Sequence, residues 1–188
     1  MKRFDLMMGI NTRGTFMVSK YCIPHLKKTA NPHILMLSPP LDMKQKWFEH
    51  STAYTMAKFG MSLVVLGLAG ELRPKGIAVN ALWPRVIIAT SAIRNLLGGD
   101  EGMRMARSPE IMADAAHAIV SKPSNTFTGN FLIDDTFLAG EGVTDFDREY
   151  AQKLPGIRSD IADGGVLKIN STPTIFINGV RLPGGMRP

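Results

Sequence analysis

Two side chains that can move a proton stand four residues apart in the segment YTMAK, Tyr54 to Lys58. On a helix, residues four apart lie on the same face, so this phenol and this ammonium can reach a common ligand. A phenol, with a pKa of about 10, is a poor base at neutral pH, but a neighbouring ammonium stabilises the phenolate and lowers that pKa. The pair therefore predicts a general acid/base for proton exchange with a carbonyl or an alcohol.

Three other residues occupy positions where a ligand site would need them. Ser38 directly follows the apolar run HILML, and Pro84 lies two residues after the run IAVNAL. Because open parallel sheets place their ligand crevice at the carboxyl ends of the strands, Ser38 and Pro84 are expected at one edge. Asn11 lies inside the first predicted helix, where asparagine is a mediocre helix former. Each residue also has a plain structural explanation: Ser38 as a turn residue, Pro84 as the end of a strand, and Asn11 as a polar surface residue. Their joint arrangement around the helix that carries Tyr54 favours a ligand site.

The elements that position these residues alternate between helices and short apolar strands. Helices are predicted over about 4–28, 52–72 and 108–118, and strands over 33–37, 77–82 and 129–133. This alternation is typical of right-handed βαβ units. It predicts an α/β fold with a parallel sheet.

Composition narrows the class of protein. The chain has 188 residues, of which 45% are apolar and 20% charged, which suits one domain with an appendage. The net charge of +6 is scattered, so a solvated surface is favoured over a nucleic-acid site. One cysteine and four histidines without ligand spacing predict neither a disulfide nor a metal site.

No apolar run approaches the roughly 20 residues of a membrane span, and no secretory pattern opens the chain. A cytoplasmic protein without a membrane partner is therefore expected.

Several motifs, in order, resemble one known family. NTRGTF, the apolar strand ending in Ser38, AYTMAKFGM, ELRPKGIAVNALWP and TGNFLIDD are similar to the second half of the short-chain dehydrogenases/reductases. The resemblance covers about residues 1–155. It implies a partial Rossmann-like parallel sheet that consists of the last three strands of the family's fold with their flanking helices, and it implies that substrate specificity lies in the apolar-rich connection 85–107. The Ser-Pro-Pro loop and Trp83-Pro84 are closest to the hydroxysteroid-dehydrogenase-like branch.

The resemblance implies an oxidoreductase that interconverts a small-molecule alcohol and carbonyl with NAD or NADP. Tyr54 would be the general acid/base, and Ser38 would hydrogen-bond the substrate oxygen. Lys58 would hold the nicotinamide ribose and tune Tyr54, and Asn11 would position a water in a proton relay. The cofactor site would also include Tyr54 itself and two residues of the connection after the second strand, Pro84 and Thr90.

The sequence also departs from the family pattern. Arg85 stands where glycine usually follows the proline, and Thr90 falls one residue late. The gap from Ser38 to Tyr54 is longer than usual. Neither Gly98-Gly99 nor Gly184-Gly185 lies between a strand and a helix, as a phosphate-binding turn would.

Two functions therefore remain open from the sequence. One is a short-chain oxidoreductase with a Ser-Tyr-Lys site. The other is a catalytically inactive, truncated or fused remnant that serves at most as a dimerising or interaction module. The reason for this alternative is that the Gly-rich, phosphate-binding half of the family's fold is absent from the sequence, so weak binding of NAD or NADP is expected. In either case a homodimer through the helices 4–28 and 52–72 is expected.

Beyond the predicted domain 1–140 the pattern changes. Residues 141–158 are charged and indicate a linker. Within 159–188, DGGVLKINSTPTIFINGVRLPGG resembles the later part of a DsbA-type thioredoxin-fold domain, with Thr172-Pro173 as its cis-proline turn. The redox pair C-x-x-C is missing, so dithiol chemistry is not expected of this chain. A hairpin appendage, with strands 174–177 and 180–182 around Asn178-Gly179, is therefore favoured over a thioredoxin-like fragment.

Overall fold

A computed structural model describes residues 1–146, Tyr150 and two short strands near the carboxyl terminus. The helices are α1 (Lys2–Met8), α2 (Gly14–Leu26), α3 (Thr52–Leu72), α4 (Gly99–Met105), α5 (Glu110–Val120) and α6 (Asp134–Gly140). The strands are β1 (His33–Met36), β2 (Ala78–Trp83), β3 (Phe131–Ile133), β4 (Phe176–Ile177) and β5 (Val180–Arg181). Short π-helical turns span Gly9–Arg13 and Ile93–Leu97, and 3-10 turns span Gln45–Trp47 and Arg73–Lys75.

The central sheet has three parallel strands in the order β1-β2-β3. β1 and β2 pair in register from His33 opposite Ala78 to Met36 opposite Ala81. The side chains of Ala78 to Leu82 are all buried, as expected for a strand covered on both faces. This arrangement confirms the predicted α/β class with a Rossmann-like parallel sheet.

The long helix α3 covers the sheet and carries much of the core. Its buried apolar residues pack with those of α2, β1 and β2 in one cluster: Cys22, Leu26, Ile34, Met36, Val65, Leu68, Ala69, Leu72, Ile77, Val79 and Ala81. With the 3-10 turn that follows it, α3 is long and apolar enough to cross a membrane by length and composition alone. Because α3 supplies four residues of the core cluster, we interpret it as a core helix.

The first helix differs from its prediction as one continuous element over 4–28. A π-helical turn, Gly9–Arg13, separates α1 from α2. Pro24, expected near the end of the helix, lies inside α2, which continues to Leu26. Because proline has no N–H, α2 lacks one internal hydrogen bond at this position, two residues before its last residue. Helices α4 and α6 were not predicted, while the bounds predicted for α3 are confirmed.

The described residues group into two compact units. The first contains residues 1–83 and 120–132, and the second contains 84–119 and 133–146. In the second unit, Ile111, Ala115 and Ile119 of α5 are wholly buried, and Ala89, Met103 and Ala106 form a small cluster. β4 and β5 pair antiparallel, as the hairpin prediction requires. The predicted linker 141–158 and the rest of 159–188 lie almost wholly outside the described residues, and the thioredoxin-like resemblance stays a prediction.

Candidate active site at the carboxyl edge of the sheet

Ser38 lies two residues beyond the end of β1 and is wholly buried. Its amide donates to the carbonyl of Met36 at 3.1 Å, which turns the chain out of the strand. Within the described residues the Ser38 Oγ has no hydrogen-bond partner. Since most buried polar atoms in native structures are paired, this hydroxyl calls for a functional explanation.

Lys58 brings a cation to the same edge. Its Nζ donates to the carbonyl of Leu37 at 3.0 Å and lies 5.4 Å from the centroid of the Trp83 ring. Leu37 directly follows β1 and Trp83 ends β2, so the ammonium lies between the carboxyl ends of two neighbouring strands. Burial lowers the pKa of Lys58 to about 8.

Two polar residues of α3 that the sequence reasoning missed hold this helix to the loop after β1. The Ser62 hydroxyl donates to the carbonyl of Pro39 at 2.6 Å, and the Thr55 hydroxyl donates to the carbonyl of Trp47 at 2.7 Å. Both side chains are buried. In the sequence they could have been recognised as hydroxyl side chains on a helix that is otherwise largely apolar. The two hydrogen bonds fix the long connection between Ser38 and Tyr54 against α3.

Tyr54 lies one helical turn before Lys58, with 46% of its side chain exposed. Burial of its remaining surface raises the pKa of the phenol. This is opposite to the direction expected from a neighbouring ammonium. The Lys58 ammonium instead donates to the Leu37 carbonyl and lies over the Trp83 ring.

Asn11 lies in the π-helical turn between α1 and α2. Its Nδ2 donates to the carbonyl of Met7 at 3.0 Å, which leaves Oδ1 as an acceptor. The next residue, Thr12, donates from Oγ1 to the carbonyl of Ala57 at 3.0 Å and so ties the turn to α3 beside Lys58. A Cβ at Gly60 would clash with the Thr12 side chain, so this approach of the two helices requires glycine. Single π turns often occur at functional sites.

Pro84 and Thr90 belong to the second unit, whereas Asn11, Ser38, Tyr54 and Lys58 belong to the first. Pro84 directly follows β2 and is half-buried, and Thr90 is exposed one residue before a helical segment. The structure thus places Pro84 and Thr90 on the connection after β2, as the sequence indicated.

The open sheet of three parallel strands flanked by helices defines the fold class of this protein. A family model described as enoyl-(acyl carrier protein) reductase matches residues 1–136. The chain therefore belongs to the short-chain dehydrogenase/reductase family.

Individual relatives indicate which branch of the family the chain is similar to. Hydroxysteroid dehydrogenase-like protein 2 of Danio rerio is 57% identical over 147 residues, which are 78% of this chain and 35% of the relative. The chain thus spans about a third of the length of the curated relatives it matches.

Solved structures give the same family. A short chain dehydrogenase from Mycobacterium thermoresistibile is 54% identical, with a TM-score of 0.73 over 80% of this chain and 53% of that one. A 3-ketoacyl-(acyl-carrier-protein) reductase from Brucella melitensis, complexed with NADH, is 25% identical, with a TM-score of 0.56 over 70% of this chain and 56% of that one.

Proposed function

We propose that this chain carries the catalytic part of an NAD(P)-dependent oxidoreductase that interconverts a small-molecule alcohol and a carbonyl. The observation that carries the proposal is the wholly buried Ser38 hydroxyl, which has no hydrogen-bond partner among the described residues and follows directly the residue whose carbonyl accepts from Lys58. A hydroxyl donor and a cation at one edge of the sheet suit a substrate oxygen on which negative charge develops.

The Lys58 ammonium suits the ribose of the cofactor. It offers three donors, of which one is used by the Leu37 carbonyl and another lies 3.6 Å from Met61 Sδ, a weak acceptor, so Lys58 would hold the ribose with the third. Pro84 and Thr90 would contact the nicotinamide side. When bound, NAD(P) supplies the hydride chemistry.

The protein residues would handle the proton and the substrate oxygen. In the reductive direction, the Tyr54 hydroxyl would donate its proton to the substrate oxygen, which the Ser38 hydroxyl holds by a hydrogen bond. The raised pKa of Tyr54 keeps the phenol protonated, as a proton donor must be. Asn11, through its free amide oxygen, would hold a water that returns a proton to the site.

The cofactor proposal is tested by titrating the chain with NADH and with NADPH while tryptophan fluorescence is recorded. Trp83 contacts Lys58, so a ligand at this edge is expected to change its emission in a saturable way. Saturable binding of one of the two cofactors is expected below millimolar concentration. No saturation up to millimolar cofactor would reject the proposal and favour the catalytically inactive interaction module.

The exposed apolar residues of α1, α2 and α3 support a homodimer through these helices. Leu63 and Leu66 on α3 are 59% and 53% exposed, and Tyr21 on α2 is 66% exposed. Apolar side chains grouped on neighbouring helices are typical of an association surface.

The double substitution Leu63→Glu, Leu66→Glu is expected to convert a dimer into a monomer in sedimentation experiments, because burying two carboxylates in an apolar interface is costly. The control is Met105→Glu, which changes an apolar residue of α4 that is 68% exposed and should leave the mass unchanged. A wild-type chain that sediments as a monomer would contradict the dimer.

A further inference from the structure

The connection after β2 is held by a cluster of charges that the sequence analysis did not assign. Two aspartates begin α6 directly after β3, and two arginines approach them from the connection and from the segment before α5. We call these four residues, Arg85, Arg107, Asp134 and Asp135, the Asp-Arg cluster. All of them belong to the second unit.

Asp135 binds both arginines. The Nε of Arg85 lies 3.2 Å from Oδ1 of Asp135, and NH1 of Arg107 lies 3.1 Å from Oδ2. The Asp135 side chain is only 17% exposed and that of Arg107 only 22%. Arg85 also donates from NH2 to the Thr136 hydroxyl at 2.5 Å. An isolated pair at a surface contributes little, but a half-buried carboxylate shared between two guanidinium groups forms a network with defined geometry.

Burial raises the pKa of Asp135, but the hydrogen bond from Arg107 and the charge of Arg85 outweigh it. The pKa of this carboxyl is therefore held below its ordinary value, and Asp135 is charged at neutral pH.

The same cluster restrains the backbone of the connection. The amide of Arg85 donates to Oδ1 of Asp134 at 2.8 Å, and this aspartate is wholly buried. Further along, the amide of Arg107 donates to the carbonyl of Ile87 at 3.0 Å, and the amide of Ala89 donates to the carbonyl of Arg107 at 2.9 Å. The segment that begins at Arg85 and the segment around Arg107 are thus paired by their backbones, and Asp135 links them a second time by binding both arginine side chains.

We propose that Asp135 is a positioning residue, which acts through Arg85 and Arg107 to hold residues 84–90 in the conformation that presents Pro84 and Thr90 to the cofactor. The inference rests on the proposed function, because it assigns a role to the connection in binding NAD(P). It also gives a reason for Arg85 at the position where the family usually has glycine. The residue is a partner of Asp135 rather than a defect in the loop.

The test is Asp135→Asn, which keeps the shape of the side chain and removes its charge. Loss of one member of a coupled network is expected to raise the dissociation constant of the better-bound cofactor by about fivefold to thirtyfold. The rate constant kcat at saturating cofactor should change little, since Asp135 touches no reacting atom. The variant Asp135→Glu, which restores the carboxylate, should recover most of the affinity. The matched control is Asp5→Asn, which removes one exposed carboxylate of α1.

Hydrogen exchange without cofactor separates this proposal from the proposed function. The amides of Arg85 and Ala89 are hydrogen-bonded in the cluster and should exchange faster in Asp135→Asn than in the wild type or Asp5→Asn. Unchanged exchange and unchanged cofactor affinity in Asp135→Asn would overturn the positioning role while wild-type binding upholds the proposed function. If the wild type binds neither cofactor, both the proposed function and the predicted role of Asp135 in cofactor affinity are overturned, even where the amides of Asp135→Asn exchange faster.

Discussion

Replacing Tyr54 with phenylalanine is expected to lower kcat by about 10²-fold to 10⁴-fold, which is the usual contribution of a positioned general acid or base. The substitution removes one hydroxyl from a ring that is 46% exposed, so it leaves no cavity in the core. The free energy of unfolding should therefore change by less than about 0.5 kcal/mol. The measurement is the rate of cofactor oxidation with a panel of small ketones, together with urea unfolding of the same preparations.

The matched control is Tyr21→Phe, which removes the same hydroxyl from an exposed tyrosine of α2. It should retain the wild-type kcat. Comparable turnover by Tyr54→Phe and Tyr21→Phe would remove Tyr54 from the mechanism, even if the wild type binds NAD(P)H. Unaltered cofactor affinity in Tyr54→Phe, alongside lost turnover, would place its role in proton transfer rather than in binding.

Replacing Lys58 with methionine is expected to weaken cofactor binding by about tenfold to a hundredfold, because hydrogen bonds to charged groups contribute about 1.5–3 kcal/mol. Methionine retains an apolar stem of similar length, which can still pack between Leu37 and Trp83. The control is Lys28→Met, which removes an exposed ammonium from the turn after α2. Fluorescence titration with both cofactors measures the effect. An affinity in Lys58→Met equal to that of Lys28→Met would contradict the role of Lys58.

The pH dependence follows from the pKa of Lys58, which burial lowers to about 8. Below this pH the ammonium is present and available to the ribose, and above it the neutral amine prevails. The affinity of the wild type for NAD(P)H should therefore fall as the pH rises from 7 to above 8, whereas that of Lys58→Met should not show this fall. In the absence of cofactor the folded protein loses this proton at lower pH than the unfolded chain does. This term makes the free energy of unfolding increase between about pH 8 and the ordinary lysine range near 10.4.

The direction of the Tyr54 pKa bears on how the site works. The sequence suggested that Lys58 lowers this pKa, but without cofactor the ammonium is bound by the Leu37 carbonyl and the Trp83 ring. Partial burial then dominates and raises the pKa of the phenol. A protonated phenol suits reduction of a carbonyl directly, and proton release in the oxidative direction would require Lys58 to be redirected.

The sequence by itself determined the elements and the candidate chemistry. The bounds of α3, the parallel strands β1 and β2, and Ser38 at the end of a buried strand follow from apolar periods and from proline and glycine positions. These signals are local, since each depends on a few neighbouring residues. For the same reason Tyr54 and Lys58 were recognised by their spacing on one helix.

Tertiary structure decided which partners these residues have. The Thr12 hydrogen bond to α3, the clash that excludes a side chain at Gly60, and the engagement of Lys58 by Leu37 and Trp83 join residues that are distant in sequence. The Asp-Arg cluster is the clearest case, because Arg85 and Asp135 are 50 residues apart. Neither has a local pattern that indicates the other, and their charges meet only because β2 and β3 end at the same edge of the sheet. Contacts of this kind depend on the packing of whole elements, which no short segment of the chain specifies.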